Sequence, residues 1–198
     1  MQPSVFVQGY DAPKINVDEI LRYAGARQGS DAVNALLSEC ISEAEGVLQY
    51  SVCHCELPVS MDGDGLDLGG IKVVSDDLKR CLVGCSRCVL FCATVGMGMD
   101  RLIARYNSLS PAKALIMEAL GNERVESLCD ELCRTLKAKY GCVRPRFSPG
   151  YGDLPLKMQR DVFAVLDLNK RLGLTLSEGL IMAPSKSVTA IVGIVDKI

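Results

Sequence analysis

The chain has 198 residues, 48% of them apolar, and a formal net charge of −2. A chain of this length buries about 70% of the surface it exposes when unfolded, so a single domain over residues 1–198 is expected. Scattered basic residues and near-neutral charge argue against a nucleic-acid partner, and no apolar run approaches the roughly 20 residues of a membrane span.

In chain order, residues 4–10 read as a short strand and residues 17–24 as a helix of two turns stopped by Gly25. After Gly29-Ser30, residues 31–49 carry Val33, Leu36, Leu37, Cys40, Ile41, Ala44, Val47 and Leu48. That is a 3.6-residue stripe with Ser30 as N-cap, so a core-facing helix is expected. Residues 50–59 switch to strand-like alternation, Met61-Asp-Gly-Asp-Gly65 is a turn, and residues 66–74 return as a second strand. The Asp62-Gly-Asp-Gly65 piece lacks the later ligands of a calcium loop, so turn chemistry is the better account. Ser75 caps a short helix over 76–82, and the apolar run 87–94 suits a buried strand. Residues 99–106 read as a helix. Ser110-Pro111 starts another over 112–120, Gly121-Asn122 ends it, and the Val125, Leu128, Leu132, Leu136 stripe makes a further one. A helix over 157–166, a polar turn at 169–171 and strands near 174–182 and 187–195 complete the chain. Helices interspersed with neighbouring strands indicate an α+β fold with a largely antiparallel sheet.

Ten cysteines make up about 5% of the chain, below the roughly 8–10% of disulfide scaffolds. The start, Met1-Gln-Pro-Ser-Val-Phe-Val, lacks the charged and apolar regions of a signal peptide, so reduced thiols and a cytoplasmic location are expected. Cys81-x-x-x-Cys85-x-x-Cys88 has the spacing of an iron–sulfur ligand set. Its members fall on a helix, a turn and a strand rather than on one loop, so small core residues are the better reading. Cys53 and Cys55 share one strand face with His54 on the other, which prevents the three from meeting at one metal. Cys129 and Cys133 continue an apolar stripe.

The remaining chemistry lies in Arg144-Pro-Arg-Phe-Ser-Pro-Gly-Tyr151, followed by Gly152-Asp-Leu-Pro155. Two prolines exclude a helix and favour a rigid, irregular loop that carries two guanidinium groups, a tyrosine and a glycine. Arg146-Phe-Ser-Pro-Gly-Tyr151, the helix after it, and Leu176-Ser-Glu-Gly-Leu-Ile-Met-Ala-Pro-Ser-Lys-Ser-Val188 resemble the C-terminal half of the activation domain of vitamin B12-dependent methionine synthase. The likeness extends through Thr94-Val-Gly96, Asp100 and Glu126 back to residues 15–25.

That resemblance implies an S-adenosyl-L-methionine (AdoMet) site. Arg146 is expected to grip the AdoMet carboxylate as a fork, with Glu126 near the ammonium. Tyr151 supplies an aromatic wall, and the backbone of Gly150 through Asp153 lies against the ligand. Asn16 stands where the family has an aspartate for the ligand's amino group; an amide keeps one acceptor but loses the charge, and Asp18 is the nearest substitute. The implied role is a stand-alone subunit for reductive methylation of cob(II)alamin, with cobalamin carried by a partner. That partner is a methionine synthase core or another corrinoid protein, and flavodoxin or ferredoxin supplies the electron. The alternative is a module that binds a corrinoid protein without AdoMet. An ordinary methyltransferase is disfavoured, because Gly96-Met-Gly98 alone is no Gly-rich nucleotide fingerprint.

Overall fold

The computed structural model describes residues 3–26 and 30–195; Met1-Gln2 and Gly29 of the sequence reading lie outside them. An antiparallel sheet is built from β1 (Val5–Gly9), β2 (Ser51–Asp62), β3 (Gly65–Leu68), β4 (Ile71–Val73), β5 (Cys85–Thr94) and β8 (Ser187–Val195). Its order is β4-β3-β2-β5-β8, with β1 paired to the first half of β2. A separate hairpin joins β6 (Thr175–Leu176) to β7 (Met182–Ala183). Helices α1 (Val17–Tyr23), α2 (Asp31–Glu45), α3 (Asp76–Cys81), α4 (Met97–Leu109), α5 (Pro111–Tyr140), α6 (Gln159–Leu166) and α7 (Leu168–Leu172) complete the α+β architecture.

Central strand β5 is buried from Cys88 to Thr94, as its continuous apolar run requires. One sheet face, through Val52, Phe91, Ala93 and Val192, packs on Leu128, Leu132 and Leu136 of α5. The other, through Cys53, Cys55, Cys88, Leu90 and Cys92, is covered by Leu78 of α3, Val162 and Leu166 of α6, and Leu154. The expected alternation of Cys53 and Cys55 against His54 holds, and His54 stacks on Phe6 with centroids 5.7 Å apart. A third cluster joins Ile20, Cys40, Met99, Ile103, Met117 and Leu120 from α1, α2, α4 and α5. Helix α5, at 30 residues about 45 Å long, serves two of these clusters in turn.

Several boundaries differ from the sequence reading. Gly121-Asn122 does not end a helix; both lie within α5. A Cβ on Gly121 would stand 2.9 Å from Met99 Cγ and 3.0 Å from Lys186 Cε, so the glycine admits α4 and Lys186 to close packing. Asn122 accepts a 2.8 Å hydrogen bond from Lys186 Nζ. The strand expected over 66–74 is split into β3 and β4, because Gly69 and Gly70 both adopt positive φ and turn the chain. Residues 169–171 are helical rather than a turn, which lets Leu168 of α7 reach the core. The strand expected near 174–182 becomes two short strands paired in one ladder, because Ser177 Oγ accepts from Ile181 N at 3.0 Å and closes a turn between them. The segment 157–166 opens with a 3-10 turn, Leu156–Met158, before α6.

Within α5, Glu123 and Arg124 form an ion pair at 2.5 Å with both side chains 1% exposed. Arg124 also donates to Pro13 O at 2.6 Å and Lys14 O at 3.0 Å, and Glu123 Oε1 accepts from Asn16 N at 3.1 Å. The residues before α1 are thereby fixed to α5 by the two charges. Removing one partner of such a pair leaves the other buried and uncompensated. Arg124→Met is therefore expected to lower unfolding free energy by about 3–5 kcal/mol, measured by urea denaturation, with much of the loss recovered in Glu123→Gln/Arg124→Met.

Candidate functional site

Gly141, at φ 86°, ends α5, and the chain then returns along the outer edge of β8. Val195 N donates to Cys142 O at 3.1 Å, Arg144 N to Gly193 O at 2.8 Å, and Phe147 exchanges two bonds with Ile191 at 2.8 and 2.9 Å. The two-proline loop is thus an interrupted extra strand, and its rigidity comes from the sheet as well as from proline.

The two arginines have different duties. Arg144 donates from Nη2 to Val83 O, and its stem covers Gly193, where a Cβ would lie 3.1 Å from Arg144 Cγ. It locks β8 to the turn before β5. Arg146 faces α5 instead: Nη2 pairs with Glu126, and Asp130 stands 3.4 Å away. Its side chain is 26% exposed, and Nη1 is buried without a hydrogen-bond partner. Burial works against the Arg146 charge, and the neighbouring Glu126 and Asp130 carboxylates act the other way, which leaves the pKa above its ordinary value. Burial pushes the Cys129 thiol up to about 12, so it stays protonated against the guanidinium.

Beyond Phe147 the chain makes two tight turns. Gly150, at φ 89°, donates to Leu154 O at 2.9 Å, and Tyr151 N donates to Ser148 O at 3.1 Å. The Tyr151 ring meets the Phe147 edge with centroids 5.4 Å apart yet remains 69% exposed. Asp153 points elsewhere, onto the N-terminus of α3. Its carboxylate accepts from Ser75 Oγ, from Asp76 N at 2.7 Å and from Asp77 N at 3.2 Å. Asp77 returns the bond by accepting from Asp153 N at 3.1 Å.

Asn16 is the N-cap of α1, and its Oδ1 accepts from Glu19 N at 3.2 Å. The local reason is the N-cap preference of asparagine, whose side-chain oxygen satisfies a free first-turn amide. A cleft of about 480 Å³ opens beside it, lined by Lys14, Ile15, Asn16, Val17, Asp18 and Ser127. Ser127 follows Glu126 on α5 and donates to Glu123 Oε1 at 2.7 Å. Across from Glu126, Tyr23 of α1 has its phenol raised by burial and then by the Glu126 charge.

Of the residues singled out from sequence, Arg146 and Glu126 are in direct contact, and Asn16 and Asp18 line a cleft whose α5 side is the residue next to Glu126. Gly150 and Tyr151 occupy the turns beyond Arg146, whereas the Asp153 carboxylate is used to cap α3. Sequence reasoning missed Tyr23, Ser127 and the Glu123–Arg124 pair. Reading one helix through Gly121 would have revealed the last, because Arg124 then falls seven residues after Met117 on the buried stripe. The thiols of Cys81, Cys85, Cys88 and Cys92 are spread over a helix end, a strand start and the core. Among the described residues, no three or more His, Cys, Asp or Glu side chains gather as a metal site, and no helix is long and apolar enough to cross a membrane.

No protein-family model and no curated protein sequence matches the chain. Among solved structures, it is similar to the crystal structure of the MetH reactivation domain bound to AdoHcy, with a TM-score of 0.71. The two share 14% sequence identity over 98% of this chain and 79% of the other. The chain therefore has the fold of that reactivation domain.

The Asp153 clamp yields a pH prediction. The Ser75 hydrogen bond, then those from Asp76 and Asp77, hold the carboxyl below its ordinary value of 3.8. A folded-state pKa that is depressed contributes stability above the unfolded value and loses it as pH falls through the folded one. Asp153→Asn is expected to lower Tm at neutral pH, and the gap to the parent is expected to close below about pH 4. Thermal melts across that range check both.

Proposed function

We propose that the chain is an AdoMet-binding reactivation subunit that supports reductive methylation of cob(II)alamin on a separate B12-dependent methionine synthase or related corrinoid protein. The observation that carries the reading is Arg146, a guanidinium held by a clamped backbone beside Glu126, with Nη1 buried and unpartnered. The domain of like fold was solved with AdoHcy, the demethylated form of AdoMet.

An AdoMet carboxylate needs a two-pronged donor, and Arg146 provides one by exchanging its Glu126 contact for the ligand. Glu126 and Asp18 then offer negative charge to the ammonium and sulfonium. Tyr151, with most of its ring exposed, is available to cover the adenine. AdoMet supplies the methyl group, and the partner's cobalamin accepts it after reduction by flavodoxin or ferredoxin. This chain's share is to bind and orient the donor, which needs no general base.

One observation favours a second reading, a module that binds a corrinoid protein without AdoMet. Asn16 Oδ1 is consumed by the α1 cap, so the amide has less to offer an ammonium than an aspartate would. Titration calorimetry separates the two. The AdoMet reading predicts saturable heat with AdoMet and AdoHcy, and a loss of affinity of roughly 10- to 100-fold in Arg146→Ala. No heat at millimolar ligand supports the module instead. Functionally, the protein with AdoMet and a reductant is expected to restore a cob(II)alamin-loaded methionine synthase core. Full restoration by Arg146→Ala would refute the role given to the loop.

A further inference from the structure

A second cavity, of about 240 Å³, lies on the other side of Arg124, between the residues preceding α1, the end of α2 and the middle of α5. Its apolar lining includes Ile15, Ile41, Leu48 and Leu120; of its polar members Arg124 is buried, Tyr50 is half-buried and Glu45 is exposed. Neither the Arg146 site nor the packing of the sheet uses this space.

The chemistry of the lining selects the occupant. The Arg124 charge is cancelled by Glu123 at 2.5 Å and the Glu45 carboxylate at the cavity's edge is exposed to water, so the buried part offers no net charge to an ionic ligand. Desolvating an ion there would cost more than the lining returns. The half-buried Tyr50 phenol lies beside Arg124. It is the one hydroxyl in the lining and has both donor and acceptor capacity. For size, an apolar cavity of about 150 Å³ accommodates benzene, so this one takes up to about ten heavy atoms.

We infer that this cavity is a binding site for a small neutral molecule, an aromatic or branched aliphatic compound with one hydroxyl or N–H directed at Tyr50. Such a molecule would bridge the segment before α1 to α2 and α5, and so brace the same segment that Arg124 holds through Pro13 and Lys14. The site stands apart from the AdoMet reading and survives its failure.

The test uses the full chain with 13C-labelled Ile, Leu and Ala methyls, titrated with p-cresol, toluene and indole. The Ile15, Ile41, Leu48 and Leu120 methyls are expected to shift together and saturate at millimolar probe or below. Leu48→Phe, which fills the space, is expected to weaken indole at least tenfold while the protein remains folded. Tyr50→Phe is expected to weaken p-cresol by roughly three- to tenfold and leave toluene unchanged, the worth of one neutral hydrogen bond. The Tyr50 comparison stands on its own if Leu48→Phe does not fold. Absence of saturable shifts overturns the proposal, as do shifts centred away from these methyls. Equal loss, or no loss, of both p-cresol and toluene in Tyr50→Phe overturns it as well.

Discussion

The buried pair of Glu123 and Arg124 is the constraint on which the arrangement around α5 depends. Two opposite charges with 1% exposure are tolerable only because each satisfies the other and the remaining donors find backbone carbonyls. Those carbonyls belong to Pro13 and Lys14, and the amide of Asn16, two residues on, binds Glu123. The pair therefore decides where the chain crosses α5 before α1 begins. Tyr23 and the Asn16–Asp18 cleft take their positions from that crossing.

A second constraint acts from the opposite side. Residues 142–147 are hydrogen-bonded to β8, which fixes the backbone from which Arg146 reaches α5. Glu126 receives Arg146 one turn beyond Glu123, so a single helix ties the two fixed segments together. The candidate site is the seam between them.

Local chemistry was legible in the sequence; long-range partners were not. The Ser30 and Ser110 caps, the Gly63 turn and the buried β5 run follow from patterns a few residues long, and the structure has them. Rigidity of the 144–151 loop was expected from proline, but its first half is also hydrogen-bonded to β8, more than 40 residues later in the chain. Asp153 reads as a loop carboxylate until α3, whose N-terminus it caps, is brought against it by the fold. Asn16 shows the reverse. An asparagine just before a helical stretch suits an N-cap, and the cap occupies one of the two lone pairs of the oxygen that a ligand's amine would use. The Glu123–Arg124 pair was hidden by Gly121-Asn122, which resembles a break and is instead a contact point for Met99 and Lys186.

The central claim is that this seam holds AdoMet through Arg146. A crystal structure of the chain grown with AdoHcy tests it most directly. The account predicts the ligand's carboxylate on the Arg146 guanidinium, its amine toward Glu126 and Asp18, and its adenine against Tyr151. AdoHcy bound elsewhere, with Arg146 still paired to Glu126, would contradict it.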